Sequence, residues 1–200
     1  MKRLCAFVTM MLAFASAGFA QGQPGDRTPG TKNSDQVEYL LQFTERKVLA
    51  LAEAMPAEKY GFAPAAGEFR GVRTFGEQLK HIAADNYLDG ATLLTEKSPP
   101  GDLGPGESGS ASVKTKAEII AYLKDSFAYL HRAVRAMDDG NAPLRKPDFL
   151  PYGPGTTTRL LIMLANIGHT DDHYGQLVEY LRMNGIVPPA SRAPRQRTKN

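Results

Sequence analysis

The sequence predicts an all-α protein, a four-helix bundle, on three observations. Apolar residues recur at steps of three and four through four separate long stretches. Two of those stretches open on Thr-x-x-Glu, the pattern in which each side chain satisfies a free backbone N–H at a helix start. No segment carries the alternation of a half-buried strand, so the apolar stripes have only one another to pack against.

The first twenty residues stand apart from this pattern. Lys2 and Arg3 precede an apolar run from Leu4 to Phe14, and small residues lead on to Ala20. This is the three-part layout of a secretory signal peptide (1–20), cleaved after Ala20. The run is too short to span a membrane comfortably. The expectation is export to the periplasm or the extracellular space, with no stable membrane anchor after cleavage. Residues 21–33 are rich in Gly, Pro and polar side chains and read as a flexible linker.

The helical domain is expected over 34–190. In its first helix Val37, Leu40, Leu41, Thr44, Val48, Leu51 and Met55 form the stripe, and Pro56 marks the end. The stretch 56–72, with Tyr60, Phe62, Pro64 and Phe69, is irregular. The second helix opens on Thr74 and Glu77, carries Phe75, Leu79 and Ile82, and runs to about Lys97. Residues 98–113 are expected to be a mobile surface connection by composition. Thr115 and Glu118 open the third helix. Its stripe is Ile119, Leu123, Phe127, Leu130, Val134 and Met137, and it ends near Gly140. A loop with four prolines follows. The fourth helix is expected from about Thr157 to Asn184, where Gly185 suits a left-handed cap and Pro188 and Pro189 bar continuation. Residues 191–200 hold Arg192, Arg195, Arg197 and Lys199 without an acid, and read as a basic disordered tail.

Composition narrows the chemistry. Cys5, inside the leader, is the single cysteine of the 200 residues. The mature chain therefore has no disulfide, thiolate ligand or cysteine nucleophile. Without Lys2 and Arg3, 22 of the 24 basic residues remain against 21 acidic ones. That balance gives no reason to expect nucleic-acid binding. The expected partner is a small-molecule substrate.

Candidate site residues lie on two helices. In the fourth, Leu160, Leu164, Ile167, Asp171, Tyr174, Val178 and Leu181 form a mostly apolar series, read as a packing stripe. A second series, Ile162, Asn166, His169, His173, Gln176 and Tyr180, has four polar side chains in succession beside an apolar arc. Polar groups beside a core are costly unless they find partners. An i, i+4 histidine pair can hold one metal ion from a single helix. His81 offers a third imidazole, on the second helix in the series Thr74, Gln78, His81, Asp85 and Leu88. His81, His169 and His173 together would bind a divalent transition metal such as Zn²⁺, Ni²⁺ or Fe²⁺ and leave a position open. Asp85 is placed either to orient a histidine or to accept a proton, as a catalytic residue, or it is simply a carboxylate on the helix surface. Asn166 and Gln176 are candidates to bind substrate or to support the site, or they simply line the strip. Asp171 and Asp172 point away from the strip, and "HTDDH" lacks the glutamate of a zincin helix. His131, off the stripe of the third helix, is expected to be exposed and without a role.

The order "RTFGEQLKHIAADNY" in the second helix and "GHTDDHYGQLVEYLRMNGIVPP" in the fourth resembles the DinB/YfiT-like family of four-helix metalloproteins. The resemblance covers about residues 34–190, and the HxxxHxGQL run is its most specific part. It implies a four-helix bundle of the DinB/YfiT type, a divalent metal on His81, His169 and His173, and often a homodimer. It also implies one of two activities, thiol-dependent transfer or metal-dependent hydrolysis. Export separates the chain from cytoplasmic thiol pools and so favours hydrolysis.

Overall fold

The structure, a computed structural model, describes residues 30–138, 140, 143–145 and 155–192. The expected signal peptide, most of the expected linker, most of the proline-rich loop and nearly all of the basic tail lie outside the described residues. Four helices make up most of the rest: α1 (Asn33–Ala54), α2 (Phe75–Leu93), α3 (Lys116–Arg135) and α4 (Arg159–Met183).

The helix ends follow the local chemistry. Thr74 and Thr115 each accept a backbone N–H from the glutamate three residues on, and that glutamate accepts from the threonine's own backbone N–H. At the end of α4, Gly185 takes φ 71°. Its N–H donates to Arg182 and that of Ile186 donates to Leu181, closing the last carbonyls. Two boundaries differ from expectation. α2 stops at Leu93 rather than near Lys97, with Thr95 left-handed (φ 55°) just beyond. α4 starts at Arg159, because Thr156–Thr158 is a short strand (β2) paired antiparallel with Pro143–Arg145 (β1). The β-branched threonines favour that extended backbone.

Side-chain contacts fix the directions of the helices. Lys124 faces Glu53, and His131 faces Glu38 and Glu45, so α1 and α3 are antiparallel. Asn86 meets Ser126 and Glu96 meets Tyr129, so α2 and α3 are parallel. Tyr180 reaches the Arg73 carbonyl and Arg159 that of Leu93, so α4 is antiparallel to α2 and parallel to α1. The order is up-down-down-up. α1 and α2 each pack against both α3 and α4.

The parallel α2–α3 pair has a consequence for the site. A 19-residue helix is about 28 Å long, and the chain must travel back along it before α3 can begin. Segment 94–115 makes that crossing. Its residues 98–113 were expected to be a mobile surface connection. Instead it forms a tight turn at Pro105–Glu107 and lies against α2. Gly109 is buried there, and a Cβ on it would sit 2.7 Å from the Cβ of Lys80. Only glycine allows that approach.

The core is formed by Leu41, Val48, Leu51, Phe75, Leu79, Ile82, Leu123, Phe127, Leu130, Met163, Leu177 and Leu181. Two readings of the sequence are corrected. The mostly apolar series on α4 packs only in part: Leu181 is buried and Leu160, Ile167, Tyr174 and Val178 lie half-buried against the core, but Leu164 is 50% exposed and Asp171 is exposed, while Asn166, Thr170 and His173 are buried. The polar strip turns inward because α2 supplies its hydrogen-bond partners. His131, expected to be exposed, is buried between Glu38 and Glu45, 2.9 and 3.1 Å from its two ring nitrogens. Burial alone would depress its pKa. The hydrogen bonds and charges of the two glutamates outweigh that and raise it to about 9.

Candidate metal centre

The antiparallel α2–α4 pair brings His81 opposite His169 and His173. The Nε2 atom of His169 lies 3.1 Å from that of His81 and 3.1 Å from that of His173. The three rings meet edge to face, with centroids 4.5–5.2 Å apart.

Two of the rings have their tautomer set from behind. Nδ1 of His81 is 2.9 Å from the backbone carbonyl of Glu107 on the crossing segment. A carbonyl only accepts, so Nδ1 carries the proton and Nε2 is left with a lone pair. His173 is set by a longer chain. The Asp172 carboxylate accepts from Nε2 of Gln176, and Oε1 of Gln176 accepts from Nε2 of Gln78. Oε1 of Gln78 then accepts from His173 Nδ1 at 2.5 Å. Because a carboxylate only accepts, Asp172 orients both amides and, through them, the imidazole.

Electrostatics agree with this geometry. Burial, then the neighbouring His169 and His81, pushes the His173 pKa down to about 4. Burial also lowers that of His81. Both rings are therefore neutral near pH 7, the form that binds a metal. His169 differs. Its Nε2 is 2.8 Å from Oδ2 of Asp85, and that hydrogen bond raises its pKa. With 38% of its side chain exposed, it marks the side on which the cluster meets solvent.

The donor set fits a divalent transition metal. Three imidazole nitrogens converge, two with bare lone pairs, at a spacing that no set of neutral acceptors favours without a shared cation or proton. Two nitrogens each about 2.1 Å from one ion lie about 3.0–3.4 Å apart, from a right angle to a tetrahedral angle. The separations of 3.1 Å fall in that range.

The remaining expected residues have other partners. Gln176 sits in the Asp172 chain. Asn166 donates to Asn86 and to Asp89, and its Oδ1 is buried without a protein partner. Burial raises the Asp89 pKa to about 7, against the opposing hydrogen bond from Asn166. Asp171 pairs with Lys47 and is not part of the cluster. Sequence reasoning missed Gln78, Glu107 and Asp89, and it set Asp172 apart from the strip although its carboxylate holds Gln176. Gln78 stood one turn before His81 on the same strip, which was a usable signal. Glu107 gave none, since its part is played by a backbone carbonyl in a glycine-rich turn.

A family model, that of the DinB superfamily, matches residues 40–177. The chain belongs to the DinB superfamily. Among solved structures it is similar to YfiT from Bacillus subtilis, which is described as a probable metal-dependent hydrolase with an unusual four-helix bundle topology. The two share 17% identity over 80% of this chain and 92% of that one, with a TM-score of 0.53, so the likeness is one of fold. No curated protein matches the sequence. Membership in the superfamily agrees with the bundle expected from sequence.

Proposed function

We propose that this protein is an exported metal-dependent hydrolase, with a divalent transition metal (Zn²⁺, Ni²⁺ or Fe²⁺) held by His81, His169 and His173. One observation carries the reading. Two of three convergent imidazoles are held, by Glu107 and by the Gln78–Gln176–Asp172 chain, in the tautomer that turns a lone pair inward. Such a metal supplies Lewis-acid activation of water or of a substrate oxygen. Around it, His81 and His173 exclude water from the inner side by burial, and the side of His169 admits substrate. The leader at residues 1–20 supports export, and export favours hydrolysis over thiol transfer. Leu40, Phe43, Leu161 and Leu164, all exposed on the neighbouring α1 and α4, support a homodimer.

The test is turnover of a panel of chromogenic esters, amides and phosphoesters by metal-loaded protein. Hydrolysis that a chelator abolishes and that His173→Ala lacks supports the proposal. Bound metal with no turnover across the panel would instead make the protein a non-catalytic metal- or ligand-binding bundle.

A further inference from the structure

The position of Asp85 does not match that of a carboxylate standing behind a histidine ligand. A supporting carboxylate usually holds the ring nitrogen that faces away from the metal. His81 and His173 are both held in that way, through Nδ1. Asp85 instead approaches inner nitrogens. Its Oδ2 is 2.8 Å from Nε2 of His169 and 3.5 Å from Nε2 of His81. It therefore lies among the donors. The separations of 2.8, 3.1 and 3.1 Å around His169 Nε2 are those of neighbouring ligands near right angles on one ion, about 3.0 Å. Asp85 is also only 14% exposed in its side chain, and the Glu107 carboxylate lies within 4.8 Å of it. Two carboxylates so close are costly without a nearby positive charge.

We propose that Asp85 is a fourth protein ligand, so that the centre is three imidazoles and one carboxylate rather than three imidazoles alone. This rests on the proposed three-histidine centre and deepens it. Four protein donors would leave two positions open on a six-coordinate ion and none on a tetrahedral one.

Cobalt(II) is the probe, titrated into protein purified without a polyhistidine tag and followed by its visible absorption. The variants are Asp85→Ala, the near-isosteric Asp85→Asn, Asp171→Asn and His173→Ala, each checked for helix content. We expect His173→Ala to lose binding. Both Asp85 variants should bind at least about 10-fold more weakly and, when saturated, give a spectrum shifted from that of the wild type. Asp171→Asn, outside the cluster, should keep the wild-type spectrum. A wild-type spectrum from either folded Asp85 variant at saturation overturns the proposal and leaves the three-histidine centre standing. Equal binding by wild type and His173→Ala removes that centre and the proposal with it.

Discussion

His131 allows a sharp test of the electrostatics. The perturbation is His131→Gln, which keeps a hydrogen-bonding side chain and removes the charge. In the folded protein the imidazole lies between Glu38 and Glu45, with its pKa raised from 6.5 to about 9. A raised pKa means that the folded state binds the proton more tightly than the unfolded state. The contribution is complete below about pH 6.5 and fades as pH rises through about 9. The full shift corresponds to at most about 3–4 kcal/mol at 1.36 kcal/mol per unit. The carboxylate side chains are 22% and 26% exposed, which screens the interaction and brings the expected effect to about 1–2 kcal/mol. Urea unfolding at pH 6 and pH 10 measures it. The wild type should exceed the variant by about 1–2 kcal/mol at pH 6, and the gap should close to within about 0.5 kcal/mol at pH 10. An equal gap at both values would refute the reasoning, because other titrating groups are common to the two proteins.

Four further outcomes follow from the packing and the site. A Cβ on Gly90 would lie 2.5 Å from the Tyr129 ring, so Gly90→Ala should destabilise by about 1–3 kcal/mol in thermal or urea unfolding. Gly175→Ala, in α4 with open space around it, should be neutral or stabilise by up to about 1 kcal/mol. Gln78→Leu breaks the chain that orients His173 and should weaken metal binding about 10- to 100-fold in a chelator competition, with helix content unchanged. Metal uptake near pH 7 should release protons, because the Asp85 hydrogen bond raises the His169 pKa; calorimetry in buffers of different ionisation enthalpy reads this, and Asp85→Asn should lower it.

The bundle was legible because its signals are local. The steps of Ile119, Leu123, Phe127 and Leu130 mark one face, Thr74 and Thr115 mark starts, and Gly185 marks an end. His81, His169 and His173 were legible as a set because two share a turn and the third sits on a polar strip. What was missed depends on contacts distant in sequence. His131 lies off its helix's stripe, and its partners Glu38 and Glu45 are more than eighty residues away. The composition of 98–113 suggested motion, yet its glycines allow the tight turn that brings the Glu107 carbonyl to His81. Asn86 and Asp89, which hold Asn166 of the α4 polar strip, lie 80 and 77 residues from it in sequence.

The central claim is that His81, His169 and His173 hold one metal ion. The direct measurement is elemental analysis of tag-free protein, wild type beside His81→Ala, His173→Ala and His131→Ala. The account predicts near-stoichiometric metal in the wild type and in His131→Ala, and loss in the other two. Unchanged metal content in His81→Ala and His173→Ala would contradict it.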